Sequence, residues 1–230
     1  PIALARRAID ALALDPARTQ IDYVGLNHLG WLTGLQHEGV DRLPELIADP
    51  ARLASIEEGR LFGAELIGDL GALPNEYLHY YYFSREDLAI DKVSDKTRGR
   101  FLLEQQRGFY EKPDGDTLSA YERWERTRLE REETYMATNR EAAGNFERDE
   151  SDLETGGYDK VALAIMHAIA NDIPAELILN VANNGILPDL ADDAVVEIPC
   201  RVDGSGVTPL PDAELLPEED SLVFQVGQLA

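Results

Sequence analysis

Apolar residues recur at helical spacing along most of the chain. Leu4, Ala8 and Ile9 form one such stripe, which is typical of a helix that packs one face against a core. The pattern predicts helices over residues 2–14, 43–70 with breaks, 97–109, 119–146 and 158–170. Residues 119–146 are expected to form one long charged helix, because a Ser-x-x-Glu capping pattern opens at Ser119 and acidic and basic residues recur three and four positions apart.

Strand signals are short and scattered between the helical segments. Apolar runs predict strands over residues 21–26, 31–35, 177–181 and 195–202. Asn27-His28 lies at the junction of the first pair, and Asn183-Asn184-Gly185 is a turn between the second pair. Helices and strands do not alternate regularly, so the pattern predicts an α+β fold that is mainly helical with short mixed strands.

The charge of the chain narrows the class of partner. Its 230 residues include 44 acidic and 21 basic side chains, which gives a formal net charge of −23. A field of this sign repels phosphate backbones and anionic lipids, so no nucleic acid and no membrane is expected as a partner. The single cysteine, Cys200, rules out an intramolecular disulfide, and no apolar run approaches the ~20 residues of a membrane span. A cytoplasmic protein is therefore expected.

The four histidines differ in their sequence surroundings. His167 lies within an apolar helical segment, His37 in a polar loop where it is expected to be solvated, and His79 between aromatic residues where it can face either way. His28 directly follows a predicted strand and stands beside an asparagine, a position from which a neutral imidazole can reach a divalent metal ion. One histidine alone makes a poor metal site, so the residue pattern leaves ligand and ordinary surface residue as alternatives.

Three tyrosines and the cysteine are the other residues with candidate chemistry. Tyr77, Tyr80 and Tyr81 stand at helical spacing, which fits either an aromatic packing face or a site with a tyrosine base. A tyrosine acts as a base only if a nearby cation lowers its pKa by several units from ~10. Cys200 lies in a strand-like run without a neighbouring histidine, so it is interpreted as a buried structural thiol.

Several segments, taken together and in order, resemble the C-terminal part of family-4 glycoside hydrolases. They are Tyr-Val-Gly-Leu-Asn-His-Leu-Gly-Trp at residues 23–31, Pro-Asn-Glu-Tyr-Leu-His-Tyr-Tyr at 74–81, Thr-Arg at 97–98, Gly-Gly-Tyr at 156–158, Asn-Val-Ala-Asn-Asn-Gly at 180–185 and Val-Val-Glu-Ile-Pro-Cys at 195–200. The form of the first segment is most similar to the 6-phospho-β-glucosidase branch. The resemblance implies a C-terminal domain of the lactate/malate-dehydrogenase-like type.

The resemblance also implies a hydrolysis that does not use the usual pair of carboxylates. In this family NAD⁺ oxidises the sugar at C3, a base removes the proton at C2, the group on C1 leaves by elimination, and water then adds. Mn²⁺ holds the sugar oxygens as a Lewis acid. The implied substrate is a phosphorylated disaccharide or aryl glucoside.

Residue roles follow from the matched motifs. His28 matches the metal-binding histidine of the family, and Tyr77 matches the tyrosine expected to be the C2 base, with Tyr80 as the fallback. Arg98 is the candidate for the substrate phosphate, because a guanidinium suits that ligand. Asn27 is expected to line the sugar site.

The chain departs from the family pattern at both ends. Residues 1–230 are expected to be the C-terminal metal- and substrate-binding domain, truncated at each end, with the NAD-binding Rossmann domain missing. The second metal ligand of the family is a cysteine in a Cys-Asn-x-Pro segment, and Pro1 matches the proline of that segment. The chain alone is therefore expected to be inactive. Family membership implies a homodimer or homotetramer. The alternatives are a 6-phospho-α-glucosidase, an α-galactosidase or a non-catalytic assembly module.

Overall fold

The computed structural model describes residues 1–94, 97–111, 117–147 and 158–210. The described residues fall into two compact units, the first from 1–79 and 158–210 and the second from 80–147. Both units contain helices, and the strands form antiparallel sheets, which confirms the predicted α+β class. Among the helices in these ranges, none is long and apolar enough to cross a membrane.

The first sheet of the first unit is built on a hairpin. Strand β1, Thr19–Leu26, pairs antiparallel with β2, Leu29–His37, and β2 also pairs with the short strands β3, Val40–Asp41, and β4, Leu73–Pro74. This confirms the two predicted strands, each of them longer than the apolar run that indicated it. The hairpin is anchored in the core by fully buried side chains, which are Tyr23, Val24, Trp31, Leu32 and Leu35.

The second sheet is a meander of three strands. They are β5, Ala175–Ala182, β6, Val195–Asp203, and β7, Gly206–Pro209. The first two were predicted, whereas the four-residue β7 is too short and polar to give a signal. The connection from β5 to β6 is ordered by the buried Asn183, whose side-chain amide donates to the carbonyls of Leu187 and Leu190 at 2.9 and 3.1 Å. Strand β1 of the first sheet packs against β6 of the second.

Helices cover both sheets of the first unit. They are α1, Ile2–Ala11, α2, Leu43–Ile47, α3, Pro50–Leu53, α4, Glu57–Leu70 with a kink at Gly63, and α10, Tyr158–Asn171. The first helix ends before the predicted residue 14, because Ala13 takes a left-handed φ of 51°. The predicted helical region 43–70 and its breaks are confirmed. The Gly156-Gly157 segment lies outside the described residues.

Within its described residues, the regular elements of the second unit are all helices. It contains α5, His79–Tyr82, α6, Ser84–Val93, α7, Arg98–Glu111, α8, Ala120–Glu133, and α9, Ala137–Ala142. The predicted capping box is confirmed, since the Ser119 hydroxyl accepts from the backbone N–H of Glu122 at 3.2 Å and the Glu122 carboxylate accepts from the Ser119 N–H at 2.7 Å.

The prediction of one continuous helix over 119–146 is wrong. The helix is interrupted after Glu133, and Met136 takes a left-handed φ of 52°. Tertiary contacts stabilise the break: Met136 is buried, the Arg140 guanidinium donates to the Glu133 carbonyl at 2.8 Å, and the Asn139 amide donates to Asp87 on α6 at 2.8 Å. The spacing of charged residues along the segment does not predict these contacts.

Candidate functional site

His28 lies exposed at the tip of the β1–β2 hairpin. Leu26 pairs with Leu29, so Asn27 and His28, which the sequence analysis placed at the junction of the two strands, form a two-residue turn. The φ of His28 is +68°, in the left-handed region that glycine or asparagine adopts more readily. Strained backbone positions of this kind cluster at ligand sites, so the conformation of His28 supports a functional interpretation.

The stem of the hairpin requires glycine. Gly25 pairs with Gly30, and a Cβ at Gly25 would lie 2.3 Å from the carbonyl oxygen of Leu29. A Cβ at Gly30 would lie 2.5 Å from the hydroxyl of Tyr23. The missing side chains therefore allow the turn to close tightly and allow the Tyr23 ring to lie against the stem.

Tyr77 reaches the hairpin tip from a 3-10 turn, Glu76–Leu78. The side chain of Asn75 caps this turn by accepting from the Tyr77 N–H at 3.1 Å. The centroids of the His28 and Tyr77 rings are 4.5 Å apart, with an angle of 50° between the ring planes. The structure thus brings together the two residues that the sequence analysis assigned to metal binding and proton abstraction.

The three tyrosines do not share one packing face. Tyr77 is half-buried beside His28, whereas Tyr80 and Tyr81 belong to α5 and are about half exposed, at 52% and 49%. Helical spacing did not anticipate this difference, because the chain changes from a 3-10 turn to an α-helix between Tyr77 and Tyr80.

A buried carboxylate, Glu197 on β6, lies beneath the hairpin tip. Its carboxylate accepts a hydrogen bond from the Tyr23 hydroxyl at 3.3 Å and interacts with the ring and the backbone N–H of His28. Burial raises the pKa of Glu197, and the amino group of Pro1, the Tyr23 hydroxyl and His28 oppose that shift. Burial and the Glu197 charge together raise the pKa of Tyr23 well above 10.0.

A second cluster of charged side chains is buried between α1 and α4. The Arg7 guanidinium binds the Glu58 carboxylate through two donors, one of them at 3.0 Å, and its third nitrogen lies 3.8 Å from Glu57. Arg7 also lies 4.0 Å from the carboxylate of Glu76, the residue before Tyr77. Both Glu57 and Glu58 are fully buried, so Arg7 supplies the charge that permits two carboxylates in the interior.

The described residues supply only part of a metal site. His28 offers one imidazole, and within the described ranges no group of three or more His, Cys, Asp or Glu side chains is arranged to hold a metal ion. Cys200 is buried in β6 with its thiol toward the Ile198 carbonyl at 3.5 Å, and burial raises its pKa. This confirms the expected burial of the Cys200 thiol.

The other histidines have different surroundings. His79 is buried, with its ring 5.8 Å from that of Phe62. His167 is exposed on α10. His37 was expected to be solvated in a loop, but it is the half-buried last residue of β2, and its Nδ1 lies 2.9 Å from the Thr19 hydroxyl. The strand extends beyond the apolar run, which brings His37 into this contact.

Asn27 and Arg98 remain candidates whose roles are predictions. Asn27 is exposed beside His28 in the turn. Arg98 opens α7 in the second unit, where its guanidinium donates to the Thr134 hydroxyl at 2.6 Å and to the Arg131 carbonyl at 3.1 Å. Burial and repulsion from Arg131 lower the Arg98 pKa, but a guanidinium keeps its charge at neutral pH.

The sequence analysis did not identify Tyr23, Asn75, Glu197 or the Arg7 cluster. In β6 the buried apolar stripe is Val196, Ile198, Cys200 and Val202. Glu197 points to the opposite face of the strand, which strand alternation assigns to solvent. The only signal in the sequence was its place in the Val-Val-Glu-Ile-Pro-Cys segment, which carried the resemblance without a role for the glutamate.

Comparison with known sequences identifies the family. A profile of the family 4 glycosyl hydrolase C-terminal domain matches residues 23–228. The chain is 28% identical over 221 residues to the 6-phospho-beta-glucosidase of Escherichia coli (strain K12), covering 92% of this chain and 44% of that protein. It is 24% identical over 226 residues to the Maltose-6'-phosphate glucosidase of Bacillus subtilis (strain 168), covering 91% and 44%. The chain belongs to family 4 of the glycosyl hydrolases and corresponds to their C-terminal domain.

Solved structures support the same fold. The 6-phospho-beta glucosidase from Thermotoga maritima, solved with manganese, NAD⁺ and glucose-6-phosphate, aligns with a TM-score of 0.69 and 20% identity over 99% of this chain and 47% of its own. The 6-phospho-alpha-glucosidase from gut microorganisms, solved with NAD and Mn²⁺, aligns with a TM-score of 0.62 and 22% identity over 96% and 48%. The chain therefore spans less than half the length of these relatives.

Proposed function

We propose that this chain is the metal- and base-bearing part of a phosphoglucosidase that cleaves 6-phospho-β-glucosides. The observation that carries the proposal is the contact between His28 and Tyr77, whose ring centroids are 4.5 Å apart in a chain that belongs to family 4. The match to the Escherichia coli 6-phospho-beta-glucosidase and the form of the segment at residues 23–31 favour the β-glucoside.

The proposed cofactors are NAD and Mn²⁺, as in the solved relatives. NAD⁺ supplies oxidation at C3, and Mn²⁺ supplies Lewis-acid stabilisation of the sugar oxygens. An exposed imidazole fits a transition-metal ligand, so His28 would hold Mn²⁺. The donor set within the described residues is incomplete, so the remaining ligands would come from the longer protein.

Tyr77 removes the C2 proton in the proposed mechanism. A phenol becomes a competent base when a nearby cation lowers its pKa, and His28, the residue that would hold the metal, has its ring centroid 4.5 Å from that of Tyr77. Asn27, next to His28, would contact the sugar, and Arg98 would bind the 6-phosphate. Tyr80 is the alternative base.

The test is the Tyr77→Phe substitution in the longer protein that carries this chain. The phenol is removed while the ring that packs beside His28 is kept, so kcat for an aryl 6-phospho-β-glucoside should fall about 10²-fold or more. Tyr110→Phe, at an exposed tyrosine of α7, is the matched control and should retain full activity.

Several outcomes would contradict the proposal in different ways. Full activity of Tyr77→Phe would move the base to Tyr80. Activity that persists without NAD⁺ and Mn²⁺ would exclude the family mechanism, and no glycosidase activity at all would favour an assembly module. Faster hydrolysis of an aryl 6-phospho-α-glucoside would replace the β assignment. Hydrolysis of an α-galactoside would support the α-galactosidase alternative instead. Light scattering tests the predicted homodimer or homotetramer.

A further inference from the structure

Glu197 is an acidic side chain on a strand face where burial is costly. It is 5% exposed, between Val196 and Ile198, which are fully buried. Removing a carboxylate from water is unfavourable unless hydrogen-bond donors surround it. A buried carboxylate on β6 therefore needs specific partners, and these partners indicate what it does.

Besides the amino group of Pro1, Glu197 interacts with two groups on the hairpin that carries His28. The Tyr23 hydroxyl of β1 donates to it at 3.3 Å, and the backbone N–H of His28 interacts with it from the turn. The left-handed backbone of His28, with φ at +68°, is an unfavourable conformation for a histidine. A carboxylate that binds the N–H of this residue stabilises that conformation and fixes the direction of the imidazole.

Tyr23 extends the same hydrogen-bonded chain to Tyr77. The Tyr23 hydroxyl lies against Gly30, where a Cβ would stand 2.5 Å from it, and hydrogen bonding from the Asn75 side chain acts to lower the pKa of Tyr23. Asn75 also accepts from the N–H of Tyr77 at 3.1 Å and donates its own N–H to the carbonyl of Gly30 at 2.9 Å. Glu197, Tyr23 and Asn75 thus connect the turn that carries His28 to the turn that carries Tyr77.

We propose that Glu197 is a positioning residue that holds His28 and Tyr77 in a fixed relation for metal binding and proton removal. The inference rests on the proposed roles of those two residues and adds a group to which neither the family profile nor the relatives' names assign a function. Glu197 acts through its two partners and makes no contact with substrate. Partners of this kind orient a metal ligand, and their loss typically weakens metal affinity about 10- to 100-fold.

The substitution Glu197→Gln tests this role with little change in volume. A carboxylate offers two acceptor oxygens, whereas the glutamine amide offers one oxygen and one NH₂ donor. In Glu197→Gln the charge is lost, and Tyr23 and the N–H of His28 can no longer each bind a separate acceptor oxygen. Tyr23→Phe removes the hydroxyl that donates to Glu197. The matched control is Glu176→Gln, at an exposed position of the neighbouring strand β5.

The measurement is the Kd for Mn²⁺ of the longer protein, obtained from the electron paramagnetic resonance signal of free Mn²⁺, with thermal unfolding recorded for every variant. We expect Glu197→Gln to raise the Kd about tenfold or more while the protein remains folded at the assay temperature. Tyr23→Phe should raise the Kd as well, and the double variant should be no weaker than the worse single variant, because both act through one chain. Glu176→Gln should bind Mn²⁺ like the unsubstituted protein.

An unchanged Kd in folded Glu197→Gln would overturn the inference, since a purely structural glutamate changes the unfolding temperature and leaves metal affinity intact. If Glu197→Gln does not fold, the Kd of Tyr23→Phe decides in the same way. His28→Ala separates this inference from the proposed function. Loss of Mn²⁺ binding in His28→Ala together with an unchanged Kd in Glu197→Gln rejects only the positioning role, whereas unchanged binding in His28→Ala rejects both.

Discussion

At the scale of single residues, the site is defined by side chains whose environments differ from their usual ones. His28 is in a left-handed turn position, Glu197 is a buried carboxylate, and Tyr23 is a buried phenol whose oxygen lies between Glu197 and Asn75. Each of these arrangements is unfavourable in isolation. They occur together because each residue provides a hydrogen-bond partner that another needs.

Tyr23 gives a prediction for alkaline pH. Its pKa in the folded state is well above 10.0, because of burial and the Glu197 charge, whereas a tyrosine in the unfolded chain ionises near 10. The unfolded state therefore releases a proton that the folded state keeps, so this contribution to stability is complete below about pH 10 and is lost as the pH rises further. Urea unfolding of Tyr23→Phe should show a shallower fall in unfolding free energy from about pH 9 to pH 11 than the unsubstituted chain.

The exposed Tyr110 supplies the control for this measurement. Tyr110→Phe should keep the slope of the unsubstituted chain, because the Tyr110 side chain is exposed and its substitution leaves the buried surroundings of Tyr23 unchanged. Equal slopes for Tyr23→Phe and the unsubstituted chain would show that Tyr23 is not protected from ionisation.

At the scale of elements, the hairpin stem depends on glycine. A Cβ at Gly30 would meet the Tyr23 hydroxyl at 2.5 Å, and Tyr23 is held by Glu197 and cannot move away freely. Gly30→Ala should therefore lower the unfolding free energy by about 1–3 kcal/mol through overpacking. In contrast, Gly68→Ala on α4, where a Cβ meets open space, should raise it by roughly 0.5–1 kcal/mol through helix propensity. A Gly30→Ala variant as stable as the parent would show that the hairpin tolerates a wider stem.

The ion pair between α1 and α4 gives a second prediction at this scale. Arg7→Ala leaves the buried carboxylates of Glu58 and Glu57 without their cation, so unfolding free energy should fall by about 3–5 kcal/mol. Arg18 pairs with Glu38 at 2.6 Å on the surface, where both side chains are more than half exposed. Arg18→Ala should change stability by less than about 1 kcal/mol. Similar losses of unfolding free energy in Arg7→Ala and Arg18→Ala would mean that water reaches the charged groups around Arg7.

At the scale of the whole molecule, the question is how much of a metal site this chain can form. Within the described residues His28 has no set of further ligands, and the relatives are more than twice as long as the part that this chain matches. We therefore expect this chain alone to bind Mn²⁺ at least about tenfold more weakly than the longer protein, and to be inactive. Isothermal titration of both with Mn²⁺ makes the comparison, and equal affinities would refute a shared site.

His28→Ala is the control for that comparison. It should abolish tight binding in the longer protein and change the weak binding of this chain very little. The formal net charge of −23 adds nonspecific attraction for divalent cations, so both titrations need physiological ionic strength, where exposed charges are largely screened beyond about 8 Å.

The sequence by itself determined the class of fold and the position of the hairpin tip. Apolar periodicity located the helices and the paired strands because those elements bury one face, and the motifs around His28 and Tyr77 indicated the family. Tertiary structure alone decided the contact between those residues, the break at Met136 and the burial of Glu197 and Arg7. The physical reason is that a residue's local pattern records its own strand or helix, whereas a buried charge depends on partners that are distant in sequence. Glu197 is 174 positions from Tyr23, and Arg7 is 51 positions from Glu58.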